Sequence, residues 1–212
     1  MRTYLILFTL LLTAGCESAY YGAMERLGIP KREILVDRIT EAQEAQQEGQ
    51  EQFVDALEQF RSVVNFDGGE LQQVYDQLNT EFEASEGAAE RIRTRIDEVE
   101  SVAEALFNEW ENELEEYSNA ALRRDSEQQL RATRTRYTRL IEAMHRAEAT
   151  LDPVLDGLRD NVLYLKHNLN ARAVTSLSGE LDTINTDVEQ LINAMQVAIA
   201  ESERFIAEMQ PE

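Results

Sequence analysis

Apolar side chains recur every three or four residues along most of the chain, a spacing that keeps them on one face of an α-helix. The first stripe consists of Ile39, Ala42, Gln46, Gly49, Phe53, Ala56, Phe60 and Val63. It ends at "NFDGGEL" (65–71), where the pair Gly68 and Gly69 predicts a helix stop and a reversal. The next stripe predicts a helix over 70–118, which at 1.5 Å per residue is about 75 Å long. Because this length exceeds the diameter of a compact domain, the pattern predicts a rod.

The second half of the chain predicts further antiparallel helices. A reversal is expected within 117–130, where Ser126 and Gln129 have the spacing of a capping box that would start the third helix. Pro153 predicts a kink, or a new helix with the proline in its first position. A further turn within "NLNARAVTSLSG" (168–179) gives a four-helix bundle, whereas a continuous helix gives a three-helix rod. The expected fold class is all-α: an elongated antiparallel helical bundle or coiled-coil rod of three or four long helices.

The amino terminus has the layout of an export signal. Arg2 precedes the uncharged apolar run 4–12, and small residues then lead to Cys16, the only cysteine in the 212 residues. The apolar run is shorter than the roughly 20 residues of a membrane-spanning helix, which favours export and cleavage. "LTAGC" (12–16) resembles the lipobox of bacterial lipoproteins. The resemblance implies cleavage between Gly15 and Cys16, a diacylglycerol on the thiol, and acylation of the new amino terminus by a chain such as palmitate.

Neighbouring residues refine the prediction of location. Thr13 stands where the lipobox family most often has leucine, and an ordinary cleaved signal or an inert free thiol is the alternative. Glu17, rather than aspartate, after the cysteine resembles the sorting rule that directs lipoproteins to the outer membrane. The expected location is the inner leaflet of the bacterial outer membrane, with the chain facing the periplasm. The predicted organisation is a signal peptide over 1–15, a lipid-anchored segment over 16–33 and a single elongated bundle domain over 34–209.

The acidic composition limits the classes of partner. The chain has 20 Lys and Arg against 41 Asp and Glu, a formal net charge of −21. Cleavage before Cys16 removes Arg2 and no acidic residue, so the mature chain is more negative by one. This charge repels nucleic acids and anionic membrane surfaces. Nucleic-acid binding is therefore excluded, and the body of the protein is kept off the lipid face.

Four stretches of the mature chain have a distinctive sequence: "YYGAMERLGIPKREILVDRI", "FDGGELQQVYDQLN", "LFNEWENELEEYSNAALRR" and "VLYLKHNLNARAVTSLSGEL". They resemble a family of bacterial lipoprotein-like proteins that is known only as a domain of unknown function. The resemblance covers about residues 20–206. It implies a single all-helical unit and brings no activity, ligand or catalytic residue with it.

The sequence contains few residues suited to catalysis or metal binding. Glu142 and His145 form a Glu-x-x-His on a helix, the spacing with which di-iron bundles present two ligands. A second copy is needed, but His167, the other histidine, has Tyr164 three residues before it. We therefore favour a solvated or hydrogen-bonded His145. No glycine-rich phosphate loop follows a strand, and the one cysteine is expected to carry lipid. No enzymatic activity, cofactor or metal is predicted.

Two groups of polar residues are candidate sites for a partner or an anion. The first is "KHNLNAR" (166–172), which contributes Lys166, His167, Asn168, Asn170 and Arg172. A polar layer that sets helix register, or a helix end, is the alternative for it. The second is the arginine block after the second reversal, which contributes Arg131, Arg134 and Arg139. Planar guanidinium groups suit the phosphates of lipid headgroups or an acidic partner.

The alternative for the arginine block is a ladder of salt bridges across the second reversal, because the second helix ends in acidic residues. A turn centred near residue 122 predicts these pairs: Glu113 with Arg131, Glu109 with Arg134 or Arg136, and Glu104 with Arg139. Such a ladder would hold two helices together and leave no free anion site.

The first functional hypothesis is a lipid-anchored, periplasm-facing scaffold or adaptor of the cell envelope. It would act through contacts with an unidentified envelope protein, with homo-oligomerisation as a further option. The second hypothesis is a helical bundle that binds a small molecule or a lipid. Such binding requires a concave pocket with convergent polar groups, so a cavity above about 300 Å³ lined by 166–172 would separate the two.

Overall fold

Helices account for the regular secondary structure in the residues that the computed structural model describes, which are Met24, 28–66, Gly68 and 70–209, apart from the side chains of residues 171 and 172. The helices are α1 (Lys31–Val64), α2 (Leu71–Glu113), α3 (Ala120–Glu148), α4 (Leu151–His167), α5 (Ala171–Leu177) and α6 (Leu181–Met209). No strand occurs in this part of the chain. The all-α prediction is confirmed.

The helices form an elongated antiparallel bundle of four arms, in which α3 and α4 together make the third arm. α1 packs along α2 and α6, and the third arm packs along α2 and α6 as well. The turn that was optional within 168–179 exists, because α4 ends at His167 and α6 runs back from Leu181. The short helix α5 lies in the connection between α4 and α6, where it contacts α1 and α4. The four-helix alternative is therefore correct, and the 43 residues of α2 make it about 64 Å long.

The two ends of the bundle differ in what they contain. The start of α1 lies beside the end of α2, since Nζ of Lys31 is 3.0 Å from Oε1 of Glu109. The arms alternate in direction, so the end of α6 lies there too. We call this the proximal end because the chain continues from it toward Cys16. The α1–α2 turn and the segment 168–180 lie at the opposite, distal end.

The core follows the predicted stripes. Every position of the first stripe, over 39–63, is buried in α1. In α2 the second stripe is buried over 78–106. Gly49 allows α1 and α2 to approach closely, because a Cβ on it would lie 2.7 Å from Cδ1 of Ile92. The helical period alone therefore located the core faces of these two arms.

The second reversal differs from its prediction. α2 ends at Glu113, five residues before the end of the predicted range 70–118, so Tyr117 lies beyond the helix and is exposed. Asn119 is the N-cap of α3: its Oδ1 accepts hydrogen bonds from the amides of Ala121 (2.9 Å) and Leu122 (3.3 Å). The capping box at Ser126 and Gln129 is wrong because Asn119 satisfies the free amides earlier in the chain.

The third arm is interrupted between α3 and α4 and then continues along the same neighbours, α2 and α6. α3 ends at Glu148 and α4 begins at Leu151, which makes Pro153 the third residue of α4 and not the first. The missing N–H of a proline costs little there, since the first amides of a helix have no partner within it. At the break, Oγ1 of Thr150 donates to the carbonyl of Ala147 at 2.6 Å. The restart alternative for Pro153 is therefore right, although the proline is two positions later in the new helix than predicted.

Candidate functional sites at the two ends of the bundle

The predicted lipidation site lies outside the described residues. This applies to Cys16, to the cleavage position Gly15 and to the signal peptide 1–15. The lipid anchor therefore stays a prediction. Among the helices that are described, none combines the length and the apolarity needed to cross a membrane. The first described helix begins at Lys31, inside the segment 16–33 that was predicted to join anchor and bundle.

The structure does not bring the two candidate polar groups together. Arg131, Arg134 and Arg139 are on α3, which starts at the proximal end. Lys166, His167, Asn168 and Asn170 are at the distal end, and the side chain of Arg172 is outside the described residues. A single site that uses both groups is therefore excluded by the length of the third arm.

Arg134 is the member of the arginine block that faces α2. Its Nη1 lies 2.5 Å from Oε1 of Glu111, and its guanidinium carbon lies 5.1 Å from the ring centroid of Phe107. Arg131 is exposed and lies 3.7 Å from Glu127 of its own helix. The block is therefore divided between an interhelical contact and exposed side chains.

The specific pairs of the predicted ladder are wrong, although the register of the two helices is right. The pairs that do not form are Glu113 with Arg131, Glu109 with Arg134 or Arg136, and Glu104 with Arg139. Glu109 contacts Lys31 of α1, and Nε of Arg136 lies 2.7 Å from Oε2 of Glu208 on α6. Arg139 is exposed and has no ion pair with the described side chains. The rotation of each helix, which residue spacing did not fix, decides which neighbour a charge meets.

A cavity of about 490 Å³ opens at the proximal end. Its apolar lining includes Leu106, Trp110 and Met209, and its charged lining includes Arg32 and Arg136. Nε1 of Trp110 donates to Oγ of Ser126 at 2.8 Å, which holds the indole between α2 and α3. The lining residues come from the ends of all four arms. Three glutamates, Glu109, Glu113 and Glu208, line the cavity as well, so it combines an apolar floor with charged groups of both signs.

The residues of "KHNLNAR" mark a helix end. Asn168 follows α4, and its Nδ2 donates to the carbonyl of Tyr164 at 2.9 Å. Oδ1 of Asn170 accepts from the amide of Ala173 at 3.2 Å in the first turn of α5. Lys166 and His167 are exposed. The helix-end alternative therefore describes the two asparagines, and the described side chains of residues 166–170 line neither of the two cavities.

A second concave surface, which we call the distal groove, lies between α4 and α5. It measures about 520 Å³. Its lining includes Asp160, Asn161 and Tyr164 from α4, Ser176 and Leu177 from α5, and Glu180 after α5. Gly157 on the same face packs against α6, where a Cβ would lie 3.4 Å from Cγ1 of Ile184, an ordinary van der Waals contact. Oη of Tyr164 and Oγ of Ser176 are 3.5 Å apart across the groove.

The family of the chain follows from a match along the described bundle. A family model described as "Protein of unknown function (DUF2959)" matches residues 20–209. The chain belongs to the DUF2959 family. The predicted resemblance to a domain of unknown function is therefore confirmed. No curated protein matches the chain. Because the family description assigns no activity or ligand, inference about function in this DUF2959 protein depends on geometry.

The side chains of Glu142 and His145 in this DUF2959 bundle contact different partners and do not form a shared site. Nε2 of His145 lies 3.4 Å from Oε2 of Glu100 on α2, whereas Oε2 of Glu142 lies 4.0 Å from Nη1 of Arg146. All four side chains are substantially exposed. Within the described ranges, no three or more His, Cys, Asp or Glu side chains form a group that could hold a metal ion.

Sequence reasoning missed the distal groove of the DUF2959 fold. Asp160, Asn161 and Tyr164 lie three and four residues apart, so the helical period already placed them on one face. That spacing was the available signal. Ser176 and Glu180 reach the groove only through the turn that follows α4, and no local pattern indicates that approach.

Proposed function

We propose that this protein is a lipid-anchored scaffold or adaptor of the bacterial cell envelope that acts through contacts with other proteins. The single observation that carries the proposal is the separation of the two ends of the bundle. An anchor that precedes α1 would attach at the proximal end, and exposed apolar side chains, Leu163, Tyr164 and Leu169, lie at the distal end. Such an arrangement suits a protein that presents a contact surface away from its anchor.

The length and charge of the bundle support the same proposal. The 34 residues of α1 extend about 51 Å from the proximal to the distal end. The net negative charge opposes adsorption of the body on an anionic lipid surface. Residues 12–17 support a location in the inner leaflet of the outer membrane, with the bundle in the periplasm. The distal end would then face partners in the periplasm.

The anchor is tested by Cys16→Ser in the full chain. Loss of the thiol should leave the precursor uncleaved at Gly15 or release the body from the membrane fraction, and labelled palmitate should no longer be incorporated. Ser18→Ala, two residues further on, is the matched control and should behave like the unaltered protein. A Cys16→Ser protein that remains in the membrane fraction and still incorporates palmitate would contradict the anchor.

The proximal cavity favours a second candidate function, binding of a small amphipathic molecule or a lipid. Its apolar lining suits a hydrocarbon chain, and Arg32 at the same cavity has no ion pair among the described residues. An anionic headgroup beside Arg32 would complete the arrangement.

Trp110 is the only tryptophan in the chain, so its fluorescence reports on the cavity. Titration with a monomeric single-chain phosphatidylglycerol should shift the emission and saturate, and Arg32→Gln should weaken the binding. An emission spectrum that does not change would remove this candidate. The result has no bearing on the anchor, which is tested separately.

A further inference from the structure

We propose that the distal groove binds an arginine side chain of a protein partner. The inference rests on the proposed function, because it names the chemistry of the contact that a distal adaptor surface would make. Three groups that accept hydrogen bonds but receive none from the described residues, an aromatic ring and an apolar floor meet in this groove. Together they match the donors and the aliphatic stem of arginine.

The polar lining of the groove is rich in acceptors. The carboxylates of Asp160 and Glu180 form no hydrogen bond or ion pair with the described side chains. Asn161 is only 7% exposed, and its Nδ2 donates to the carbonyl of Gly157 at 2.7 Å. Its Oδ1 receives no hydrogen bond from the described residues. This oxygen faces the solvent of the groove and is not among the buried atoms that lack a partner, so it is an acceptor that a donating ligand can reach.

The apolar lining suits a long side chain with a charged tip. Leu177 is buried at the floor of the groove, and the ring of Tyr164 is partly exposed at its side. An arginine side chain can lay its methylene groups on such a surface and present five N–H donors in a planar fork. The guanidinium group can donate hydrogen bonds to Asp160 and Asn161 on α4 and to Glu180 after α5 at the same time. The ring of Tyr164 adds an aromatic face for the guanidinium group.

Exposed leucines at the distal end indicate that the arginine belongs to a protein. Leu163 on α4 and Leu169 after α4 do not line the groove, but they are exposed at the same end of the bundle and offer apolar contact area that a small free cation would leave unused. Protein interfaces combine apolar anchors of this kind with arginine at their centre. The groove of about 520 Å³ also exceeds the size of one guanidinium group, so neighbouring residues of a partner segment can enter it.

The test uses the full chain in nonionic detergent and isothermal titration calorimetry at about 150 mM salt, which screens long-range attraction. The probe is a capped Gly-Leu-Arg-Leu-Gly peptide, and the control peptide carries citrulline, a neutral analogue, in place of arginine. The arginine peptide should bind with saturation. The citrulline peptide should bind at least about tenfold more weakly, since it lacks the charge that the groove carboxylates attract.

Matched variants separate the groove from general attraction to an acidic protein. Asp160→Asn with Glu180→Gln should weaken binding of the arginine peptide at least about tenfold, and melting should be unchanged because neither carboxylate has a partner in the described bundle. Glu51→Gln with Glu58→Gln removes the same charge from exposed positions of α1 and should change binding less than about twofold.

Three outcomes would overturn the proposal. Equal losses in the two double variants would show non-specific attraction. Equal binding of the citrulline peptide would show that the guanidinium group is not recognised. Displacement by spermidine at the same concentration as the peptide would show a site for small cations. None of these results depends on lipidation or location, so failure here is distinguishable from failure of the proposed anchor.

Discussion

Replacement of Gln46 by methionine is expected to stabilise the protein. Gln46 is fully buried in α1, between Ala42 and Gly49 of the first stripe. Within the described part of the chain, neither Nε2 nor Oε1 of Gln46 has a hydrogen-bond partner. Burial of an amide without partners costs roughly 1–3 kcal/mol in proteins. Methionine is unbranched and of similar length, so it removes both polar atoms and fills nearly the same space.

The expected gain in the free energy of unfolding is about 1–3 kcal/mol for Gln46→Met. A chain of this size gains about 2–4 °C in melting temperature for each kcal/mol, so the midpoint should rise by about 2–12 °C. In urea, the midpoint concentration should rise and the slope should stay the same, because unfolding exposes the same surface. Far-ultraviolet circular dichroism follows both transitions through the loss of helix.

Gln47 provides the matched control because it is the next residue of α1 and is exposed. Gln47→Met makes the same chemical change at the surface and should alter the free energy of unfolding by no more than about 0.5 kcal/mol. A loss of about 1 kcal/mol or more in Gln46→Met, at an unchanged urea slope, would refute the reasoning. That result would mean that the Gln46 amide is hydrogen-bonded in the folded protein.

Three further predictions concern capping, charge and pH. Asn119→Ala should lower the free energy of unfolding in urea by about 0.5–2 kcal/mol and Asn119→Ser should restore most of it, whereas equal losses would exclude the cap. Arg134→Ala should cost about 1 kcal/mol or less and cost less at high salt, because its pair with Glu111 is partly exposed; a loss that is independent of salt would contradict the pair. Burial, helped by nearby glutamates, raises the pKa of Tyr137 above its ordinary value of 10.0, so the folded state holds the phenol proton more tightly. Stability should therefore be unaffected below pH 10.0 and fall as the pH rises above it. Tyr137→Phe should reduce the fall in alkaline melting curves, and an identical fall in both proteins would count against this cause.

The arms of the bundle were predictable because burial repeats with the helical period. The first stripe, over 39–63, is buried at each predicted position, and the choice of four arms followed from one break within 168–179. Helix ends were less predictable, since two capping signals compete in the same stretch. Asn119 forms the cap, and Ser126 instead accepts a hydrogen bond from Trp110.

The candidate sites were less predictable than the arms. Residue spacing gave the register of α2 and α3, but the partner of an exposed charge depends on helix rotation, as Arg136 shows by contacting Glu208. The same spacing placed Gln46 in the core, yet it could not show that the amide has no partner. The distal groove depends on how α5 returns toward α4, and that approach is a tertiary feature.

Contact at the distal end is the central claim, and photo-crosslinking in living cells tests it most directly. A benzophenone amino acid replaces Leu163 at the distal end or Val197 in the middle of α6, two apolar positions with 50% and 51% exposure. We expect irradiation to yield one discrete envelope-protein adduct from position 163, absent from position 197 and lost with Asp160→Asn and Glu180→Gln. Equal adducts from both positions, or none from position 163, would contradict the claim.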